Sequence, residues 1–336
     1  MTPYARIVGF LLIAIFAPSL FPQRSEWRDS SPHHLRFVTV DNGVKLEVLD
    51  WRGRGKPIVL LAGGGDTAHV FDDFAPKLQS FTHHHVYAIT RRGFGCSGYE
   101  ATNDPADRLG EDVLAVIESL KLKRPILAGH SIAGAEMSWI ANNHPERVAG
   151  LIYLEAGYSY AFDDGNGASA TEMMALHPPQ PPPPAPNDLA TFGALDNYYE
   201  RVNGFRFSEL ELRQQRELAP NGAVGEYRNS PGGDMLMRLL THPNRYSRIP
   251  VTALFLFANP HSLGIWVDHN TDPAVRTAAN AYSIALSALT EKQENSVKKG
   301  VPNSHVVTIS GANHYIYLSD EHSILTEMRT FISTLH

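Results

Sequence analysis

A single cysteine, Cys96, occurs in the 336 residues, so no intramolecular disulfide can form and the chain must be held by a packed core. Basic residues are also scarce: 29 Lys and Arg face 35 Asp and Glu, for a formal charge of −6 and a pI near 6.2. That balance excludes general nucleic-acid binding, because neutralising phosphates needs a basic surface. No internal repeat and no phosphate-cradling Gly-x-x-x-x-Gly-Lys motif is present, and Gly63 to Gly65 lacks the further glycine spacing of a dinucleotide fingerprint. No cofactor is implied. His83, His84 and His85 are adjacent, so in a strand they cannot all face one ion; with no carboxylate or cysteine at ligand spacing, no metal site is expected there. Long apolar runs are missing too. Behind Arg6, Ile7 to Ala17 is an apolar stretch of eleven residues broken by Pro18 and Pro22, short for a bilayer span but the length of a signal-peptide core. Residues 1–22 are therefore expected to direct export to the periplasm or medium. Cleavage after Ala17 would leave Pro18 first, which keeps a retained membrane tether as the alternative.

The chain does have enough apolar residues, 43%, to bury one large core with an inserted cap, or at most two domains. Within it, residues 125–142 read as a short apolar strand, a serine flanked by small residues and then a helix. This places Ser131 on a sharp strand-to-helix turn, a nucleophile elbow. Gly129 stands two before, Ala133 two after and Gly134 next, so the usual second glycine is displaced by one position. Taken alone, such a serine is as readily an ordinary helix N-cap. Two further segments accompany it. Residues 57–65, Pro-Ile-Val-Leu-Leu-Ala-Gly-Gly-Gly, read as a buried strand ending in a glycine loop able to present an unobstructed N–H. Residues 305–314 read as a β-branched strand followed by a small-residue loop that carries His314 at the placement of a general base.

These segments resemble the α/β-hydrolase superfamily over most of residues 35–334. The resemblance extends to Leu60-Leu61-Ala62-Gly63-Gly64, similar to the family's His-Gly loop with alanine for histidine, and to Arg92-Gly93-Phe94-Gly95-Cys96-Ser97 after the fourth strand. His144-Pro145-Glu146-Arg147-Val148 followed by Leu151-Ile152-Tyr153-Leu154 is similar to its helix end and sixth strand. The resemblance implies an α/β fold with a mostly parallel, doubly wound sheet. Residues 35–155 and 249–336 would form its core and 156–248 an inserted cap. It also implies a serine hydrolase acting through an acyl-enzyme on a small-molecule ester or related acyl bond. Ser131 would be the nucleophile, His314 the base, and the amides of Gly64 and Ile132 the oxyanion donors. A serine at the elbow excludes the aspartate-nucleophile chemistry of dehalogenases and epoxide hydrolases of this fold. The acid is left between two residues. The usual place after the seventh strand, Asn259-Pro260-His261-Ser262, holds no carboxylate and Asp268 comes later, whereas Glu155 ends the sixth strand, so Glu155 is favoured and Asp268 kept as the alternative. A catalytically inactive member that binds a ligand or a partner is the competing reading.

Elsewhere the pattern is coarser. Leu35–Val40 and Val44–Leu49 flank Asp41-Asn42-Gly43 as a hairpin, Val86–Thr90 reads as a strand, and Leu109 to Leu120 carries one helical apolar stripe. In the cap, His177 to Pro186 holds seven prolines and is expected to be a stiff connection over the surface. Tyr198, Tyr199, Phe205 and Phe207 are candidates to line a pocket or to pack within cap helices. Cys96, in a glycine turn, is expected to be a small buried or half-buried packing residue.

Overall fold

The computed structural model describes residues 28–41, 43–102, 104–241 and 245–335. The expected export signal or tether at 1–22 lies outside them. Among the described residues, no helix is long and apolar enough to cross a membrane. One compact unit spans Ser31–His336.

Among the described residues, ten strands are β1 (His34–Thr39), β2 (Lys45–Asp50), β3 (Pro57–Leu61), β4 (His85–Ile89), β5 (Ile126–His130), β6 (Gly150–Leu154), β7 (Arg216–Leu218), β8 (Val224–Tyr227), β9 (Ala253–Ala258) and β10 (Ser304–Ile309). Eight of them form a sheet in the order β1-β2-β4-β3-β5-β6-β9-β10, antiparallel only at β1/β2 and β2/β4 and parallel from β4 onward. The helices are α1 (Phe74–Thr82), α2 (Pro105–Ser119), α3 (Ala133–Asn143), α4 (Ala170–Met174), α5 (Phe192–Asn203), α6 (Glu209–Gln215), α7 (Gly233–Thr241), α8 (Ile265–Asp268), α9 (Pro273–Gly300), α10 (Ile316–Ser319) and α11 (Glu321–Ile332).

Why the strands read as unbroken apolar runs is visible in their packing. Val59 and Leu61 of β3 join the core with Val113, Val116 and Ile117 of α2 and Met137 and Ile140 of α3. Their neighbours Ile58 and Leu60 join a second core with Phe74 and Leu78 of α1 and Ile324, Met328 and Phe331 of α11. A period of two along the strand therefore delivers side chains to two covered faces, which is what a parallel sheet between helix layers requires. Between β6 and β9 the chain leaves the sheet and builds α4 to α7 with the β7/β8 hairpin. Its own small core joins Phe192, Leu195, Tyr198 and Val202 of α5 to Leu212 and Val224.

The turn Gly93–Ser97 corrects one expectation. Phe94 is the residue that enters the core, and Cys96 is exposed, with Sγ beside Gln214. Burying the larger ring anchors the turn and leaves the thiol outside.

Candidate active site

Ser131 and Glu155 each sit one residue beyond a central strand, β5 and β6. Both have left-handed backbones, φ 51° and 50°, in a region that β-carbon-bearing residues rarely adopt. The sheet stitches these bends in place. The Ser131 amide donates to the Leu154 carbonyl at 3.1 Å, and the Glu155 amide to the Leu256 carbonyl at 2.9 Å, so each strand's end is tied to the next. The displaced glycine after this turn also has its reason: a β-carbon on Gly134 would lie 2.0 Å from the Ala156 carbonyl oxygen. Glycine is thus required where α3 meets the chain leaving β6, one position later than the usual pattern, while Ala133 has room for its methyl.

The glycine loop after β3 is held from behind by Arg91, whose guanidinium donates to the carbonyls of Ala62 at 2.8 Å and Gly63 at 2.9 Å and pairs with Glu136. A β-carbon on Gly63 would lie 2.6 Å from His130 Nδ1, so this glycine permits the loop to lie on His130. At Gly64 the nearest atoms to such a carbon are Ile132 Cγ2 at 3.7 Å and Leu236 Cδ1 at 3.8 Å, which places Gly64 beside Ile132. Neither the Gly64 nor the Ile132 amide donates a hydrogen bond to another described residue.

His314 lies on the loop after β10. His130 Nε2 donates to its backbone carbonyl at 3.0 Å, and His130 itself is kept neutral, its pKa pushed down to about 3 by burial and by the neighbouring His314 charge. His314 Nδ1 lies 3.3 Å from Glu155 Oε2. The carboxylate is fully buried, whereas the His314 side chain is 44% exposed, facing the cavity. Burial opposes the Glu155 charge, but the charge and hydrogen bond of His261, and then those of His314, outweigh it and hold the pKa down at about 2. Two other donors complete the shell: the Ala258 amide at 2.6 Å from Oε1 and the Tyr158 hydroxyl at 3.1 Å from Oε2. Since a carboxylate only accepts, each histidine carries its proton on the nitrogen that faces it. Neutral His314 is thereby left with a bare Nε2.

Asp268, the alternative acid, ends α8 with an exposed side chain, and no contact brings it to His314. Ser131, Glu155 and His314 instead line one cavity of about 480 Å³, together with Tyr158, Tyr160 and His261. Tyr160 lines the cavity with Ser131, and burial raises its pKa, so the phenol stays neutral. The rest of the lining is mostly apolar, from Met173, Met174, Leu240, Leu263, Trp266 and Leu286, and contains no Lys or Arg. Pro178, Pro179 and Pro181 also line it, pinned nearby by the Tyr198 hydroxyl donating to the Pro182 carbonyl at 2.7 Å. The proline run is thus a wall of the cavity as well as a connection. A second cavity, about 440 Å³, opens at Gly64, Gly65 and Asp66 and shares Asn203 with the first. Tyr199 and Phe207 line it, while Tyr198 and Phe205 pack among cap and loop side chains.

Among the described residues, two groups bring three metal-capable donors within 4.8 Å of one another: His33, His69 and Asp72, and Glu155, His261 and His314. In the first, burial disfavours charge on His69, but hydrogen bonds to Asp72 and Glu47 raise its pKa to about 10, so it holds a proton between two carboxylates. A ligating imidazole must instead be deprotonated. In the second, the carboxylate oxygens already accept the protons described above.

Matching known proteins decides the family. The alpha/beta hydrolase family model matches residues 58–325. The chain belongs to the alpha/beta hydrolase family. Among curated relatives, it is 33% identical over 123 residues to a non-heme chloroperoxidase of Streptomyces lividans, covering 35% of this chain and 44% of that one. It is 35% identical over 102 residues to a pyrethroid hydrolase of Sphingobium wenxiniae, covering 30% and 35% respectively. The alignments therefore span less than half of these relatives' lengths. Among solved structures, E-2-(acetamidomethylene)succinate hydrolase superposes with a TM-score of 0.59 at 17% identity, covering 90% of this chain and 99% of that one. A carboxylesterase from Bacillus subtilis gives 0.54 at 14% identity, covering 89% and 91%. At these identities the structural likeness speaks to the fold, an eight-stranded, mostly parallel sheet between helices.

His261, Tyr160 and Arg91 escape a reading of the sequence. The Asn259-Pro260-His261-Ser262 segment draws notice for its missing carboxylate, and a histidine there carries no spacing signal of its own. Arg91 adjoins the Arg-Gly turn, yet only the fold shows that it, rather than Arg92, reaches the glycine loop; Arg92 pairs with Asp112 and Asp41.

Proposed function

We propose that this alpha/beta hydrolase is a cofactor-independent serine hydrolase that cleaves an ester or related acyl bond of an uncharged, largely apolar substrate. The observation that carries the reading is the convergence of three strand ends: Ser131 after β5, Glu155 after β6 and His314 after β10 line one cavity, with Glu155 on the His314 ring nitrogen. In this mechanism, bare Nε2 of His314 accepts the Ser131 hydroxyl proton as Oγ bonds to the acyl carbon. The carbonyl electron pair moves to oxygen, where the Gly64 and Ile132 amides stabilise the oxyanion. Glu155 balances the imidazolium that forms. Collapse expels the alcohol with the proton from His314, and water then repeats the sequence to release the acid and free Ser131.

The cavity supports the substrate class. A volume near 480 Å³ is that of a small-molecule site, and outside Glu155, His261 and His314 the described lining is mostly methionines, prolines, leucines and a tryptophan, with no Lys or Arg to hold an anionic substrate group. A relative named as a bifunctional esterase/perhydrolase of Acinetobacter calcoaceticus acts on esters by name, which agrees with this choice. The test is labelling by a fluorophosphonate probe together with turnover of p-nitrophenyl esters of rising acyl length. Ser131→Ala is expected to abolish both while melting near the wild-type temperature. An unlabelled, inactive wild type would return the competing reading, a ligand-binding member of the family.

A further inference from the structure

Glu155 does not serve His314 alone. His261, from the loop after β9, places Nε2 2.7 Å from the same Oε2 that His314 Nδ1 approaches at 3.3 Å. The His261 side chain is only 7% exposed, and its other nitrogen, Nδ1, is buried without a hydrogen-bond partner. An unsatisfied buried nitrogen is destabilising, so a leucine of similar size would serve better if the position only filled space. The two loops are also tied to each other: the Gly311 amide donates to the Pro260 carbonyl at 2.9 Å, the Ser262 amide to the Ala312 carbonyl at 2.8 Å, and Asn313 Nδ2 to the Ser262 carbonyl at 3.1 Å. His261 and His314 are thereby held in fixed relation around one carboxylate oxygen.

We propose that His261 is a positioning residue for the hydrolytic reaction, its Nε2–H fixing Oε2 of Glu155 toward His314 and taking up part of the carboxylate's charge. The proposal rests on the reading of Ser131, His314 and Glu155 as the reacting unit. Oε2 accepts from both N–H groups and from the Tyr158 hydroxyl while Oε1 is held by the Ala258 amide, so the carboxyl plane is fixed toward His314. The second donor also weakens the pull of Glu155 on the imidazolium of His314, which tunes the base. Glu155 and His314 are the titratable partners facing His261. Tyr158, Tyr160 and Tyr282 also feel Glu155, and all three phenols are shifted upward, chiefly by burial, so they stay neutral through the working range. Neutral His130 lies beyond His314.

The test compares wild type, His261→Leu and His261→Gln by melting, fluorophosphonate labelling, and kcat and KM across pH on one p-nitrophenyl ester. The glutamine amide can donate close to where Nε2–H does, but it does not titrate. His261→Leu is expected to lower kcat about tenfold, the size of losing one hydrogen bond to a charged group, with KM within about twofold. The acidic limb of its kcat/KM profile should move to higher pH by roughly half a unit, because all of the Oε2 charge then acts on His314. His261→Gln should recover most of the kcat and bring the limb back. His261→Leu with wild-type kcat and limb overturns the proposal, and so does a folded His261→Gln as impaired as the leucine variant. Should the leucine variant not fold, a glutamine variant about tenfold below wild type still overturns it. Wild type that is neither labelled nor active removes the underlying reading and this one with it, whereas labelled wild type beside an unaffected His261→Leu removes only this one.

Discussion

Glu155→Gln is the most demanding perturbation of the proposed site, because it changes one charge and hardly any volume. In the native shell Oε2 accepts from His261, His314 and the Tyr158 hydroxyl, and Oε1 accepts from the Ala258 amide. An amide has one oxygen. If its NH2 takes the Oε2 position, His314 must expose a bare Nδ1 to it and carry its proton on Nε2, the side needed to accept from Ser131. If the NH2 takes the Oε1 position, it meets the Ala258 N–H, donor against donor. The first arrangement leaves the base in the wrong tautomer, for which a loss of about 10⁴ in kcat is expected, or about 5.5 kcal/mol in the transition state. The fold should survive. Holding the Glu155 pKa at about 2 instead of 4.5 corresponds to about 3 kcal/mol favouring the ionised native state, inside a typical margin of roughly 5–15 kcal/mol. Because this pKa is lowered on folding, its contribution is present above about pH 4.5 and lost as pH falls toward 2. The gap in stability between wild type and variant should therefore close in acid. The assay is single-turnover acylation by a p-nitrophenyl ester, with chemical denaturation at about pH 7 and about pH 3. A folded Glu155→Gln with kcat within about tenfold of wild type would refute the assignment, and Asp268→Asn, at an exposed position, serves as the control expected to be unaffected.

Two further outcomes follow from the structure, and a third tests the export proposed from the sequence. His69→Leu should cost roughly 3 kcal/mol by removing the cation between Asp72 and Glu47, which keep hydrogen bonds from His33 and Thr90, and, because the His69 pKa rises on folding from 6.5 to about 10, the deficit should be full below about pH 6.5 and shrink toward pH 10. A deficit constant from about pH 6 to 10 in denaturant titrations would contradict an imidazolium there. Tyr198→Phe removes the hydroxyl that holds Pro182, so KM for long-chain esters should rise severalfold with kcat for a short acetate ester unchanged; equal KM values would show that the wall stands without it. N-terminal sequencing of protein from the native host is expected to find residues 1–22 removed, and intact Met1 in a cytoplasmic fraction would count against export.

How much of the molecule is legible before folding follows from local physical constraints. Strand periodicity and apolar runs mark the parallel core because residues buried on both faces must all be apolar, and small residues about Ser131 mark a tight strand-to-helix turn because a left-handed bend there excludes bulk. The glycine loop after β3 is legible for the same reason. The remainder concerns residues whose partners are far away along the chain. The place of Gly134 depends on the Ala156 carbonyl. The second imidazole on Glu155 arrives from a loop 106 residues further on. Arg91 reaches the glycine loop across the β4–β3 pairing, and the proline run becomes a cavity wall because Tyr198 fastens it. A side chain's chemistry is written in the sequence, but the atom that it faces is set by how strands from distant segments are ordered in the sheet.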